Sequence, residues 1–181
     1  MALKDAKGPL RLEILDLVMT AIPDHAFVGI ECLADVRLPY VTSVGLCAFK
    51  DCANLVAVSL PECEVLSAQA FSSCKQLTDP FLPKVSKLQD SVFAQCNSLT
   101  GIDIPSAKEL GSHCFNDSGL VSITLPKAEA LGAYCFRSCL KLKVRLEERK
   151  TGEARGAEDG GARGAKRRDD KDAHLENVVQ R

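Results

Sequence analysis

Residues 39–60 read PYVTSVGLCAFKDCANLVAVSL, and residues 61–82 answer with PECEVLSAQAFSSCKQLTDPFL. Set one above the other, Pro39 stands over Pro61, Ala48 and Phe49 over Ala70 and Phe71, Cys52 over Cys74, Leu55 over Leu77 and Leu60 over Leu82. The register extends both ways. Phe27, Phe49, Phe71, Phe93, Phe115 and Phe136 step by 22, 22, 22, 22 and 21 residues. Pro39, Pro61, Pro83, Pro105 and Pro126 step by 22, 22, 22 and 21. Cysteine stands three residues after Phe at Cys52, Cys74, Cys96 and Cys139, with Ile30 and Ser118 in the remaining copies. Residue types that keep one clock over this length mark stacked copies of a single small unit.

Within one unit, Val44, Ala48 and Cys52 fall at i, i+4 and i+8, with Phe49 beside them. That spacing predicts a short helical turn with one apolar face. Leu55, Val58 and Leu60 follow as L-x-x-V-x-L, and the alternation at 58 and 60 predicts a strand with one buried face. Pro61 ends the strand, having no N–H to give a ladder. So small a unit cannot bury its apolar face alone; stacking copies buries it continuously.

The template carries through the later units, for example as Leu88, Val92, Phe93, Cys96, Leu99, Ile102 and Ile104. The fifth unit is one residue short between Phe115 and Leu120, and the sixth is one short after Leu142. Upstream, Leu12, Leu15 and Leu17 predict a lead-in strand. Pro80 takes the inward place held by Val58 and Ile102, which predicts a shortened or locally distorted strand.

The fuller phrase V-T-S-V-G-x-x-A-F-x-x-C-x-x-L-x-x-V-x-L-P resembles the BspA-like, Treponema-type class of leucine-rich repeats, over residues 18–146. The expected fold is an α/β solenoid, a leucine-rich-repeat stack of about six 21–22-residue units. Short parallel strands would line one face and short helical turns the other. The resemblance implies an adhesin-like or protein-binding scaffold and supplies no catalytic residues.

Three segments are expected: an N-terminal lead over 1–11, the leucine-rich-repeat domain over 12–146, and a disordered charged tail over 147–181. The tail holds nine Lys/Arg, nine Asp/Glu and five Gly with no aromatic residue, too little apolar surface to offset the entropy of ordering. Lys166, Arg167 and Arg168 form a basic run there, but acids flank it, so a solvated, charge-balanced tail is the simpler reading. The net charge of −1 gives no reason to expect a nucleic-acid partner. No apolar run reaches the length of a membrane span. The first residues lack the pattern of a signal peptide, so a cytoplasmic location is expected, with the cell surface as the alternative if the chain is a piece of a longer protein.

Nine cysteines invite a metal or disulfide reading. Zinc needs ligands converging on a point, whereas equivalent residues of a stack run along a line. Cys135 and Cys139 make the best local pair, and no second pair joins them. Buried apolar fillers are the simpler reading of the column. Cys47 is expected to be the most exposed thiol. His25 and His113 share a face but are four rungs apart, on the order of 19 Å, and so cannot share a site. No G-x-S-x-G, phosphate loop or HExxH is present. No catalytic, cofactor or metal site is therefore expected, and the chain reads as a scaffold rather than an enzyme.

The leading expectation is a protein partner bound on the strand face. Its outward columns are Asp35, Ala57, Asp79, Gly101, Ser122, Lys143 and Arg37, Ser59, Phe81, Asp103, Thr124, Arg145. The residues singled out are Asp35, Arg37, Ser59, Asp79, Phe81, Asp103, Thr124 and Arg145, with Phe81 as the anchor and Asp103 as its neighbour on the next rung. Packing beside Pro80 is the rival role for Phe81. The alternative function is a structural, self-assembling surface protein. Its N-terminal strand LRLEILDL has no obvious cap and would allow end-to-end self-association.

Overall fold

The computed structural model describes residues 8–13 and 19–145, with side chains given for 8–12 and 19–142. Two parallel ladders run the length of the stack. The first is built from the L-x-x-V-x-L segments: β1 (Leu10–Glu13), β3 (Leu33–Arg37), β5 (Ala57–Ser59), β7 (Asp79–Phe81), β9 (Gly101–Asp103), β11 (Ser122–Thr124) and β13 (Lys143–Arg145). The second uses two-residue strands from the V-T-S-V segments: β2 (Ala21–Ile22), β4 (Ser43–Val44), β6 (Val65–Leu66), β8 (Lys87–Leu88), β10 (Glu109–Leu110) and β12 (Ala130–Leu131). Each rung visits one ladder, then the other.

The described residues contain no helix, which corrects the expected helical turns. Val44 lies in a strand, and the turn-forming amides after it bond to the carbonyl three residues back: Ala48 to Gly45, Lys50 to Cys47, Cys52 to Phe49. The backbone shows why no helix forms. Cys47 (φ 53°) and Asp51 (φ 59°) are left-handed, and the same two places repeat down the stack at 69 and 73, 91 and 95, 113 and 117, and 134 and 138. A left-handed residue every fourth position breaks a right-handed helix. It also turns alternate amides along the stack, so Cys47, Phe49 and Asp51 donate to the carbonyls of Ala68, Ala70 and Ser72 on the next rung. The i, i+4 spacing that imitates a helix is the pitch of these successive turns.

The core lies between the ladders and the turns. Phe49, Phe71, Phe93 and Phe115 are each fully buried. The six rings stack in one column at 5.1–5.7 Å between centroids, within 14° of parallel. Parallel strands set the rung spacing near 4.8 Å, so the rings lie offset, the arrangement aromatic quadrupoles favour. Burial of each fully buried ring contributes about 1.5–3 kcal/mol, and each offset pair about 0.5–1.5 kcal/mol more.

The cysteine column has a polar task as well as a volume. Cys52, Cys74, Cys96 and Cys139 donate their thiol hydrogens to the carbonyls of Phe27, Phe49, Phe71 and Phe115 one rung earlier, at 3.1–3.2 Å. Ser118, which takes the cysteine's place in the fifth unit, meets the Cys139 sulfur at 3.3 Å. The short fifth unit is closed by Gly119: a Cβ there would come within 2.1 Å of the Asn97 carbonyl oxygen, so no other residue fits without a shift.

Pro80 interrupts the first ladder in a specific way. β7 keeps three residues and pairs with β5, Val58 opposite Pro80. The sheet then ends, and β9, β11 and β13 form a separate one. The direction of the amides explains which side fails. Leu38 and Leu60 donate forward, to Ser59 and Phe81. Position 80 shares their alternation, so the N–H that proline lacks is the one that would face Gly101 on β9. The strand is thus not shortened; its forward pairing is lost. The lead-in strand also differs from expectation. Leu12, not Leu15, pairs with Val36, after a register irregularity between Leu10 and Arg11. Residues 14–18, with Leu15 and Leu17, and the 147–181 tail lie outside the described residues.

Candidate functional site

The first ladder alternates inward apolar and outward variable residues. Val36, Val58, Pro80, Ile102 and Ile123 are buried. Their neighbours form the outer face, where Arg37 sits opposite Ser59 and Ser59 opposite Phe81. Asp103 sits opposite Thr124, and Thr124 opposite Arg145. The seven singled-out residues whose side chains are described thus lie on one face, as the period requires, and Arg145 holds the matching backbone register. They divide into two groups at the break after β7. Phe81 has Ser59 as its paired neighbour, and the expected pairing with Asp103 is not made.

Their states differ. Asp35 is held between Arg11 at 2.9 Å and Arg37 at 3.2 Å. The sequence reading missed Arg11, although its place in the Leu10-Arg11-Leu12 alternation points it outward beside the Asp35 column. Asp79 and Asp103 are exposed and have no ion pair among the described residues. Ser59 and Thr124 are half-buried. Phe81 is 56% exposed, the most open apolar side chain on this face. Packing against Pro80 therefore does not bury it. The Arg145 side chain lies outside the described residues.

The other candidates resolve differently. Cys47 is buried at 8% exposure, with its thiol directed at the Gln69 side-chain oxygen, so the expectation that it is the most exposed thiol is corrected. Cys32 is the half-buried one. Burial pushes the Cys52 thiol up to about 11 and the Cys63 and Cys96 thiols up to about 12, and holds Cys74 and Cys114 well above the ordinary value of 9.0. Thiols so placed are poor nucleophiles. His113 stacks on Tyr134 at 5.2 Å, and the Arg137 guanidinium lies 5.8 Å from the Tyr134 ring centre. Among the described residues no three His, Cys, Asp or Glu side chains are grouped to hold a metal.

A shallow groove of about 500 Å³ opens over the second ladder, between Lys87, Asp90, Glu109, Gly111 and Gly132. Its signal in the sequence was glycine recurring at one repeat position. Gly111 is glycine because a Cβ would come within 2.6 Å of backbone and of the Asp90 carboxylate, which accepts the Ser112 amide at 2.8 Å.

This geometry defines a parallel-strand solenoid whose inner columns are uniform and whose outer face is varied, the class of leucine-rich-repeat scaffolds. The family model for the BspA type leucine rich repeat region matches residues 20–143 with six copies, and the chain belongs to that family. Among solved structures it is similar to a Treponema pallidum leucine-rich repeat protein (26% identity, TM-score 0.63, covering 76% of this chain and 79% of that one). It is also similar to a leucine-rich repeat protein of Bacteroides ovatus (27% identity, TM-score 0.60, 69% of this chain and 37% of that one). A leucine-rich cell surface protein of Faecalibacterium prausnitzii shares the fold at 21% identity and TM-score 0.57. That match covers 71% of this chain, and the chain spans only 43% of that protein. No curated protein matches the chain significantly.

Proposed function

We propose that the chain is a non-catalytic scaffold that binds a protein partner on the outer face of its first ladder. The observation that carries this reading is the contrast along each strand. Inward positions stay apolar and buried on every described rung, while outward positions change from rung to rung and include one half-exposed phenylalanine, Phe81. A stacked unit has no packing reason to vary its outward residues in this way, and a lone aromatic within a polar surround is how many interface anchors are built. The test places a photo-crosslinking side chain at Ser59 or Thr124 and, as controls, at Ser73 or Gln95 on the turn side. Capture of a common protein from the two strand-face positions alone is expected; equal capture from both sides overturns the reading.

A second reading, self-association through the N-terminal end, draws on β1. It ends the first ladder's strand order, so its outer edge has no strand neighbour among the described residues. Light scattering separates the two readings, since a monomer over a wide concentration range removes self-association.

A further inference from the structure

We propose that the gap at Gly101 is a seat for an arginine side chain of the partner protein. This rests on the strand-face reading above and names the chemistry it recognises. Gly101 occupies the outward column between Asp79 and Ser122, where every other described rung carries a side chain. Nothing in the backbone asks for glycine there. Its φ is not left-handed, and an added Cβ would meet its nearest atom, the Ser122 hydroxyl oxygen, at an ordinary 3.6 Å. Gly45, Gly111, Gly119 and Gly132 differ, since each has another atom within 2.5 Å of the Cβ it lacks. Gly101 therefore leaves a notch in the face, bounded on one side by Ser122.

The groups around the notch share one character. Asp79 and Phe81 lie on the same face of β7, two residues and so about 6.6 Å apart. Asp103 lies two residues beyond Gly101 on β9. Both carboxylates are exposed without ion pairs, whereas Asp35, Glu62 and Glu109 are paired with Arg37, Lys84 and Lys87. Because Pro80 has no N–H, the Gly101 carbonyl lacks the ladder donor that would otherwise face it. The notch thus offers two carboxylates, a carbonyl and an aromatic face, and its one side-chain donor, the Ser122 hydroxyl, can turn to accept instead. A guanidinium matches this set: its planar fork serves carboxylates, it stacks on a ring, and it has no acceptor to leave unsatisfied.

The probe is a capped tripeptide, Ser-Arg-Ser, titrated into the isotope-labelled full chain and followed by amide NMR, with Ser-Lys-Ser and Ser-Gln-Ser alongside. The expected result is saturable shifts confined to residues 79–81 and 101–103, strongest for arginine and absent for glutamine. Gly101→Val, which fills the notch at a place where a Cβ fits, should weaken the arginine peptide at least tenfold with an unchanged circular dichroism spectrum. Asp79→Asn combined with Asp103→Asn should do the same. Shifts that fail to saturate, that spread over Glu31, Asp51, Glu64 and Glu129, or that survive Gly101→Val overturn the proposal. Photo-crosslinking from the strand face keeps the two ideas apart. Undiminished partner capture from Ser59 and Thr124 in the Gly101→Val chain removes the arginine seat and leaves the strand-face reading standing.

Discussion

The two ladders of this solenoid meet the same six repeats differently. The second ladder runs unbroken from β2 to β12, and the Phe column beside it is unbroken from Phe27 to Phe136. The first ladder stops at β7 and resumes at β9. The rungs nevertheless stay in step across the gap, with Phe71, Phe93 and Phe115 spaced at 5.7 and 5.5 Å as elsewhere. Continuity therefore belongs to the column and the second ladder. The first ladder is left free to carry what packing does not dictate: a proline, a glycine without a steric reason, an exposed phenylalanine.

If the column carries the stack, breaking it should cost most. Phe93→Ala, in a fully buried middle rung, should lose about 3–5 kcal/mol, against a few tenths for truncating an exposed side chain such as Gln95. Thermal unfolding monitored by circular dichroism measures it; a melting temperature close to the parent would show that the rungs hold without the column. The buried thiols add a pH dependence. Their folded values stand above the ordinary 9.0, about 11 for Cys52 and about 12 for Cys96. Below pH 9 both states keep the protons and nothing changes. Above it the unfolded chain ionises first, so it binds fewer protons and stability falls from about pH 9 to 12. Melting temperatures across that range should decline, and less steeply in a Cys96→Ala chain.

The repeat, the strands of the first ladder from β3 onward, the buried columns and the outward columns were legible in the sequence, because burial on a pleated strand has a period of two and the unit recurs; the register of β1 was not. The second ladder was not. Its strands are two residues long, too short for alternation to show, and Val44 could be assigned to whatever followed it. The turns were misread for a more specific reason. Left-handed backbone is signalled by glycine or asparagine, but here those places hold Cys47, Gln69, Ser91, His113 and Tyr134. What fixes them is the next rung, through bonds such as Cys47 to Ala68, and a contact between copies is invisible within one copy. The same holds at the candidate site. The columns were readable, but the loss of pairing between Phe81 and Asp103 depends on which way an amide at position 80 would have pointed.

The two kinds of glycine sharpen the comparison at smaller cost. Gly119→Ala drives a methyl to within 2.1 Å of the Asn97 carbonyl oxygen and should destabilise by about 1–3 kcal/mol. Gly101→Ala meets nothing closer than 3.6 Å and should be neutral or stabilising by about 0.5–1 kcal/mol, since glycine weakens a strand interior. Chemical denaturation of the two variants checks both signs.

The smallest expected change in stability is at the break itself. Pro80→Val puts a β-branched residue where Val58 and Ile102 already sit, and gives β7 an N–H directed at the Gly101 carbonyl. The new hydrogen bond is worth about 0.5–1.5 kcal/mol. Against it, the unfolded chain regains the freedom that proline denied it, a loss of about 0.4–1 kcal/mol. The two nearly cancel, so the melting temperature should move by only a few degrees in either direction. Hydrogen exchange is the more telling measurement. If Pro80 alone separates the sheets, the new amide at position 80 of the Pro80→Val chain should exchange as slowly as that of Val58 in the adjoining rung. If that amide stays fast, the break is held by the outward residues on either side of it, and the two halves of the first ladder are kept apart by the face itself rather than by the want of one donor.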